Sequence, residues 1–416
     1  MIIPTALMTN VLDNAIAGKG LVTAFQRVVA LPSRTVVGYE ALARWPALNN
    51  PAPTEVFAYA EETGKLDLLD RVCIRAAVKG AVQAATSTPG MLLLVNTEPV
   101  TSRIDPSRDS NIMRAADCFN LTFEITERGL LSNPRALLRK VAALRSSGLA
   151  IALDDVGSDP DALALLDVVS PDMVKLDMCS IQRQPDRLQA RTIAAVMAHH
   201  ERTGAVICAE GIETDDHLEQ ALAYGATLGQ GNLFGVPGEL TGAPQGFMWP
   251  GRATYPPAAA SGSTFELASD VLATRPVRQQ TLSELSRHLE RIAITAENPP
   301  IVLTTVHEGN DPRMATKLKY LGIAERCPLL ALFSQSRPLG MGPRVREVRL
   351  DPGDPMSRES TIVVLGPDTA AALIARERLC VTGICDGNAD RRYDMAVTFD
   401  REFVTLAAQS LLARLI

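Results

Sequence analysis

Two adjacent aspartates, Asp154 and Asp155, end an apolar run in the segment LAIALDDVGSDP, residues 149–160. Neighbouring side chains of a regular strand point to opposite faces, so a regular strand cannot direct both carboxylates to one place. Two like charges side by side also repel each other. The pair therefore indicates a strand end where the pleat relaxes and where something binds both carboxylates.

Polar residues occupy the same kind of position, at the end of an apolar run, at six further points of the chain. These residues are Glu40 in VVGYEALAR, Asn96 in LLLVN, Glu124 in LTFEIT, Lys175 in MVKLD, Glu210 in VICAEG and Gln230 in GQGNLFG. In a (β/α) barrel the carboxyl ends of the strands converge on one mouth, where such enzymes have their active site. A helix cap or a solvated rim charge is the commoner explanation of any single acidic strand end. The repetition at seven successive strands favours a shared site.

A mouth that holds these carboxylates needs compensating cations, because two bare carboxylates about 5 Å apart repel by roughly 3 kcal/mol at an effective dielectric constant near 20. Oxygen ligands of this kind select a hard ion such as Mg²⁺ or Mn²⁺. The full set exceeds what one Mg²⁺ takes, so two ions that share Asp154, with Asp155 turned towards the second, fit better. Two ions about 3.5–4 Å apart clamp the attacking and leaving oxygens of an in-line phosphoryl displacement.

Short β-rich runs that alternate with amphipathic segments must position these residues. Strands are predicted at 22–31, 35–45, 91–96, 121–126, 150–155, 173–177, 205–210 and 227–234, and helices at 66–85, 135–147, 187–202 and 215–224. This alternation predicts a mostly parallel sheet with helical crossovers. The eight strands fit a closed (β/α)8 barrel, and the short PSR turn after the first strand makes one strand antiparallel.

A second, smaller α/β domain is predicted to follow. A Pro/Ala/Gly-rich linker, residues 241–263, divides a barrel domain, residues 1–240, from this second domain, residues 264–416. A helix is predicted at 281–293, where Thr281 and Glu284 would form a capping box. Strands are predicted at 301–306, 329–334, 346–350 and 361–365, and a closing helix at 400–415.

The composition excludes several classes of protein. The 416 residues carry a net charge of −6, whereas a general nucleic-acid binder carries a basic surplus. No apolar run approaches the roughly 20 residues that span a bilayer, and the first basic residue, Lys19, comes too late for a signal peptide. The seven cysteines are scattered and lack CxxC spacing, so we expect reduced core residues in a cytoplasmic protein.

The strand-end residues together resemble an EAL domain, the family of cyclic di-GMP phosphodiesterases. The signature stands as EALAR at residues 40–44, after the strand FQRVV. The blocks VN, FEITE, ALDDVG, DMVKLD, CAEGIET and GQGNLFGVP follow in the family's order. The similarity covers residues 15–238.

This resemblance implies an EAL-type barrel that hydrolyses one phosphodiester bond of cyclic di-GMP to linear pGpG. Two divalent cations, Mg²⁺ or Mn²⁺, would be held by Glu40, Asn96, Glu124, Asp154, Asp155 and Glu210. Lys175 would position or help deprotonate the attacking water. Glu127 would brace the loop after the paired aspartates, which makes Lys175, Glu40 and Glu127 the implied catalytic residues.

The resemblance also implies substrate contacts and a quaternary state. Gln26, Leu42, Arg44 and Gln230 match positions that touch the nucleotide, and the fork of Arg44 suits a phosphate oxygen or a guanine edge. Glu213 would support the metal ligands from behind. A homodimer is expected of the family.

One loop departs from the family pattern. Many active members carry DDFGTGYSSL, whereas this chain reads DDVGSDPDALALL. The change affects the loop that is thought to organise the second metal and the dimer contact, but it removes no ligand. Besides a phosphodiesterase, two alternatives therefore stay open: a non-catalytic cyclic di-GMP receptor, and a scaffold whose barrel is a relic.

The C-terminal region, residues 264–416, more faintly resembles the DICT sensory domain of bacterial signalling proteins. The similarity depends on LSELSRHLERI, PPIVLTTV and the closing FDREFVTLAAQSLLARLI. It implies a domain that modulates the barrel in response to an unknown signal or protein partner.

Overall fold

The computed structural model of the chain describes residues 6–84, 90–101, 106–126, 131–241, 245–250, 262–306, 314–335, 340–342, 344–378 and 391–415. Among the helices in these ranges, none combines the length and the apolar character that crossing a bilayer requires.

Eight strands close into a barrel in the order in which they occur in the sequence. They are β1 Val22–Ala30, β2 Thr35–Arg44, β3 Met91–Thr97, β4 Phe119–Thr126, β5 Ala150–Val156, β6 Met173–Leu176, β7 Val206–Ala209 and β8 Leu228–Gly229. From β2 to β8 each strand pairs in parallel with the next. Parallel barrel strands are buried on both faces, which explains their almost continuous apolar runs.

The strand β1 is antiparallel to both of its neighbours. It forms a hairpin with β2, in which Gln26 lies opposite Glu40, and it closes the barrel against β8 through Val29 and Gly229. The predicted barrel with one antiparallel strand is thus confirmed. The two strands are joined by a turn too short to allow the crossover that a parallel pair needs.

The four helices predicted in the first 240 residues, at 66–85, 135–147, 187–202 and 215–224, form within one residue of their predicted limits. Five further helices in this region were not predicted, so that nine helices are described in all. They are α1 Ala6–Ile16, α2 Pro53–Glu62, α3 Leu66–Ala84, α4 Ser110–Cys118, α5 Pro134–Ser146, α6 Leu166–Val169, α7 Met178–Gln182, α8 Arg187–Thr203 and α9 Asp215–Ala223. Short 3₁₀ helices lie at Pro46–Leu48, Pro106–Arg108 and Pro160–Leu165. The start of α8 is fixed by a capping box between Asp186 and Gln189, and its end by Gly204 in the left-handed conformation.

The second part of the chain forms a mixed sheet whose seven described strands run in the order β12-β11-β10-β13-β14-β15-β9. The strands are β9 Arg275–Arg278, β10 Ile301–Thr305, β11 Leu330–Ser334, β12 Val345–Arg349, β13 Glu359–Leu365, β14 Ala370–Glu377 and β15 Arg392–Thr398. The helices are α10 Thr264–Val271, α11 Gln279–Thr295, α12 Met314–Ala324 and α13 Arg401–Leu412, with a 3₁₀ helix at Pro355–Arg358. A smaller second α/β domain is confirmed.

Two predicted details are wrong. The last barrel strand ends at Gly229 instead of continuing to residue 234, because the chain turns at Gly231. The backbone of this glycine packs so closely on Ile212 that a Cβ would lie 2.1 Å from the carbonyl oxygen of Ile212. The capping box predicted at Thr281 is absent, since β9 leads directly into α11 at Gln279 and no side chain caps its start. A capping box forms instead at α10, between Ser263 and Glu266.

The cysteines are only partly the core residues that the sequence predicted. Cys208 and Cys327 are buried, and Cys73 and Cys179 are half-buried. Cys118 is exposed at the last residue of α4, so its predicted place in the core is wrong. Cys380 and Cys385 lie outside the described residues.

The chain divides into two compact units that are not contiguous in sequence. The first contains residues 1–130, 139–160 and 171–254, and the second contains residues 131–138, 161–170 and 255–416. The break at 254 lies inside the predicted linker, 241–263. The second unit also takes two stretches from connections between barrel strands, residues 131–138 and 161–170.

Candidate active site

Along the barrel strands, the inward-facing side chains change from mostly apolar to polar between one inward-facing position and the next, two residues later. The inner residues Leu94, Thr122, Ala152, Met173, Cys208 and Leu228 are followed two positions later by Asn96, Glu124, Asp154, Lys175, Glu210 and Gln230. Because side chains of a strand alternate between faces, the second set also faces inward, one layer nearer the carboxyl ends. The structure therefore brings the predicted strand-end residues to one mouth.

Lys175 lies at the centre of this polar layer. Its Nζ is 2.7 Å from Oε1 of Glu124, 2.7 Å from Oε1 of Glu210, 2.8 Å from Oδ1 of Asp154 and 3.4 Å from Oε2 of Glu40. Burial lowers the pKa of Lys175, but Asp154, Glu124, Glu210 and Glu40 together raise that pKa well above its usual value. The lysine is the counter-charge for the carboxylates around it.

Glu40 is held in place by two amides. Asn96 Nδ2 donates to Oε1 of Glu40 at 2.9 Å, and Gln230 Nε2 donates to Oε2 at 2.9 Å. Burial raises the pKa of Glu40, but the charge of Lys175 and these two hydrogen bonds bring the pKa below its usual value. Glu40 is thus kept as an anion, and Oδ1 of Asn96 stays available as a ligand.

The pKa values of Glu124 and Glu210 are raised, in contrast to that of Glu40. Burial, together with the charge of Glu40, raises the pKa of Glu124 well above its usual value. Burial and the charge of Asp154 raise the pKa of Glu210 to about 8. Without a further cation, these carboxyl groups take up protons to relieve the crowding of negative charge.

The adjacent aspartates are accommodated by an irregularity in β5. The pairing with β6 shifts register between Leu153 and Val156, and Asp155 has a φ of 57°, in the left-handed region. This break in the pleat lets the two neighbouring side chains reach the same place. One carboxylate oxygen from each of Asp154, Asp155 and Glu210 lies within 4.8 Å of the others.

The donor set fits a hard divalent cation. Both carboxylate oxygens of Glu124, and Oδ1 of Asp154, are buried and accept no hydrogen bond of good geometry from the described residues, although each group contacts Lys175. Buried carboxylate oxygens are normally satisfied by donors or by metal. Oxygen donors alone select Mg²⁺ or Mn²⁺ over softer metals.

The residues predicted to contact substrate lie on or beside the hairpin of β1 and β2. Glu40, Leu42 and Arg44 alternate along β2 and share a face, and Gln26 is directly opposite Glu40. Leu42, Arg44 and Gln26 are half-buried, and Arg44 donates to the carbonyl of Ala43. Gln230 differs from them, since it is 2% exposed and its amide is used on Glu40.

Glu127 and Glu213 were predicted to support the site without binding the metal directly. Glu127 lies outside the described residues. Glu213 is exposed, and its Oε1 accepts a hydrogen bond of 3.0 Å from Asn232, in the turn that follows β8. It therefore braces that turn, and the structure shows no direct contact between Glu213 and the predicted metal ligands among the described residues.

A buried network of hydrogen bonds around Lys140, beside the mouth, was not predicted from the sequence. Lys140 Nζ lies 2.8 Å from Oγ1 of Thr97, 2.5 Å from Oγ1 of Thr101 and 3.6 Å from Oδ2 of Asp70. Burial raises the pKa of Asp70 and lowers the pKa of Lys140. The network holds the chain immediately after Asn96. An aspartate on the apolar face of α3 was the available signal.

Comparison with known protein families finds two matches, one in each of the two main parts of the chain. A family model described as EAL domain matches residues 9–237, which is 229 of 416 residues. A second, described as a sensory domain in diguanylate cyclases and two-component systems, matches residues 265–378.

Several relatives share the barrel region. The uncharacterized protein y4lL of Sinorhizobium fredii is 31% identical over 54% of this chain and 28% of its own length. The cyclic di-GMP phosphodiesterase RocR of Pseudomonas aeruginosa is 29% identical over 51% of this chain and 56% of its own length. The probable cyclic di-GMP phosphodiesterase PdeB of Escherichia coli is 28% identical over 54% of this chain and 44% of its own length. The chain thus spans less than two thirds of each of these relatives.

Proposed function

This chain belongs to the EAL domain family, and we propose from that premise that its barrel hydrolyses one phosphodiester bond of cyclic di-GMP to give linear pGpG. Relatives that bear the name cyclic di-GMP phosphodiesterase support the choice of substrate. The observation that carries the proposal is the complete oxygen set of the family pattern around Lys175, with no ligand position lost.

We propose that Glu40, Asn96, Glu124, Asp154, Asp155 and Glu210 hold two divalent cations, Mg²⁺ or Mn²⁺. Such ions polarise a phosphoryl oxygen and make water a stronger nucleophile at neutral pH. The close approach of Asp154, Asp155 and Glu210, within 4.8 Å, supports a shared site for them. The second oxygen of Glu124, Oε2, supports it independently, because it is buried and accepts no hydrogen bond from the described residues, whereas Oε1 already pairs with Lys175.

The chain's own residues orient and hold charge at the mouth. Lys175 gathers the carboxylates, and its three N–H donors lie on Glu124, Asp154 and Glu210. It would donate to a water near the scissile phosphate once one of these carboxylates binds a cation instead. Asn96 and Gln230 fix the two oxygens of Glu40, so that this carboxylate keeps one orientation. Outer contacts of this kind set the position and basicity of metal ligands.

Substrate recognition is proposed for the half-buried side of the β1–β2 hairpin. Arg44 and Gln26 can donate to phosphate or guanine oxygens, and Leu42 offers an apolar surface to a base or sugar. All three lie on the face of the hairpin that carries Glu40 or directly beside it. Gln230 acts in this scheme through Glu40. A homodimer, and modulation of the barrel by the second unit, stay predictions.

The test is chromatography of cyclic di-GMP after incubation with the full chain and Mg²⁺ or Mn²⁺. Production of pGpG that is lost on chelation, lost in Glu40→Ala and retained in Glu62→Ala is the expected result. Glu62 is a matched control, because it is an exposed glutamate at the end of α2.

Two other outcomes would contradict the proposal in different ways. Nucleotide binding in a calorimeter without turnover, at enzyme concentrations near that of substrate, would replace the phosphodiesterase with a receptor. Absence of both turnover and binding would leave the barrel as a scaffold.

A further inference from the structure

The stretch in which this sequence departs from the EAL pattern runs into a stretch that the second compact unit incorporates. The departure begins directly after Asp155, and residues 161–170 belong to the second unit. Residues 162–170 are all buried. A segment that starts within a few residues of two predicted metal ligands is therefore part of the core of the second unit.

The helix α13 holds this segment at two points. Arg401 Nη1 lies 2.5 Å from Oδ2 of Asp167 and donates to the carbonyl of Gly366 at 2.8 Å. Gln409 Nε2 donates to the carbonyl of Val168 at 3.0 Å. The carboxylate of Asp167 is 5% exposed, so its partner cannot easily be replaced by water. These contacts fix the 166–168 stretch to α13.

The connection from this stretch back to Asp155 is short and ordered. The amide of Ser158 donates to the carbonyl of Asp155 at 3.2 Å, which closes a turn. Gly157 lies within that turn at a φ of 117°, where a Cβ would be 3.0 Å from Oγ of Ser180. Only Asp159 separates the turn from the 3₁₀ helix at Pro160–Leu165, which leads directly into α6. A displacement of α6 is therefore transmitted to the turn instead of being absorbed by a flexible loop.

We infer that Arg401 and Gln409 are positioning residues for Asp155. They hold α6, α6 holds the 3₁₀ helix, and that helix holds the turn in which Asp155 keeps its left-handed conformation. A change in the second unit that moves α13 thus alters the affinity of the Asp154–Asp155 pair for a divalent cation. This inference rests on the proposed function for its consequence in catalysis, but not for the mechanical linkage.

The test uses the full chain and two readouts that do not depend on turnover. Hydrogen exchange of residues 155–170 is measured in metal-free protein, and Mn²⁺ binding is measured by calorimetry. In Arg401→Ala we expect faster exchange across the whole of 155–170, including 155–159, and Mn²⁺ affinity reduced by about 2- to 30-fold. Arg401→Lys keeps the charge opposite Asp167, so it should recover most of the slow hydrogen exchange and most of the Mn²⁺ affinity of the wild-type protein.

Arg414→Ala is the matched control. Arg414 follows α13, pairs with Asp354 at 3.4 Å and is as exposed as Arg401, 24% against 23%, but its hydrogen bonds among the described residues go to Ser410 and Gly262 and not to residues 161–170. It should leave Mn²⁺ affinity and the exchange of 155–159 unchanged. If Arg401→Ala fails to fold, Gln409→Ala, which removes one uncharged hydrogen bond, carries the same test.

Faster exchange confined to 161–170, with 155–159 and Mn²⁺ affinity unchanged, would overturn the inference. If the wild-type protein binds no Mn²⁺, the proposed function fails. The exchange of 155–159 in the Arg401 and Gln409 variants still decides whether the linkage exists.

Discussion

Nζ of Lys175 and Oε1 of Glu124 lie 2.7 Å apart, and neither side chain is exposed to solvent. This pair sits among further carboxylates from three other strands, and it shows how the barrel tolerates the charge it has gathered. One ammonium compensates part of the charge, and the raised pKa values of Glu124 and Glu210 compensate more by favouring their protonated forms. The mouth can therefore fold before any cation arrives.

Replacement of Lys175 by methionine should destabilise the metal-free protein strongly. Loss of one partner of a buried ion pair leaves uncompensated charge and costs about 3–5 kcal/mol of the free energy of unfolding. Denaturant unfolding in EDTA measures this loss. Lys65→Met is the control, because Lys65 forms an equally short pair with Asp13 but is exposed, and its loss should change little. Equal effects of the two substitutions would refute a central role for Lys175.

Substitution of Asp155 should separate its backbone role from its charge. Asparagine tolerates the left-handed conformation seen at φ 57°, whereas alanine pays about 1–2 kcal/mol to adopt it. In EDTA, Asp155→Asn should therefore be the more stable variant by that amount in denaturant unfolding. Both variants remove the carboxylate, so both should lose Mn²⁺ affinity alike. Equal stability would show that the turn at Asp155 relaxes freely.

Gly231 controls the turn that carries Gln230. A Cβ there would lie 2.1 Å from the oxygen and 2.4 Å from the nitrogen of Ile212, so Gly231→Ala must displace backbone. We expect a loss of about 1–3 kcal/mol in stability, together with reduced turnover through Gln230 and Glu40. Gly322→Ala, in α12 with no atom within 4 Å of the added carbon, should instead stabilise by about 0.5–1 kcal/mol. The same thermal or denaturant melts measure both, and a neutral Gly231→Ala would contradict the packing argument.

Thiol reactivity should separate the exposed Cys118 from the half-buried Cys73 and the buried Cys327. Burial raises the pKa of Cys73 to about 12, and burial likewise raises that of Cys327 to about 12. A raised thiol pKa keeps the thiol protonated, so on the order of one in a thousand of these groups is ionised at pH 9 and reactivity rises only at higher pH.

Peptide mapping after brief treatment with iodoacetamide should then find Cys118 modified in the native protein and Cys73 and Cys327 spared. Both should react once the chain is unfolded in urea, which is the control. Modification of native Cys73 as fast as Cys118 would contradict the shielding of this thiol by the surrounding residues.

The barrel could be predicted from sequence because its strands are buried on both faces and end in polar residues. The apolar run of β3 stops at Asn96 and that of β6 includes Lys175, so the pattern itself marks both the strand and the mouth. The position of these residues in the structure follows from the alternation of side chains. Their assignment as ligands or substrate contacts stays a prediction.

Long-range packing explains what the sequence could not predict. The end of β8 depends on the backbone of Ile212, which lies next to Gly231 only in the folded chain. The conformation of Asp155 depends on a register shift against β6. Lys140 and Asp70 lie on different helices, and the buried ion pair between them joins positions that are 70 residues apart in sequence. The place of 161–170 in the second unit depends on Arg401 and Gln409, which contact Asp167 and Val168 from positions 234 and 241 residues later in the sequence.

Consider a chimera that joins residues 1–240 to a foreign sensory domain at the 241–263 junction. It would keep residues 131–138 and 161–170 but lose the rest of the unit in which these residues pack. Nine consecutive buried residues, 162–170, would lose the helix that covers Asp167 and Val168. The sensory region of this chain therefore cannot be exchanged by a single cut at the linker. A graft that preserves the barrel has to exchange residues 131–138 and 161–170 together with the domain in which they pack.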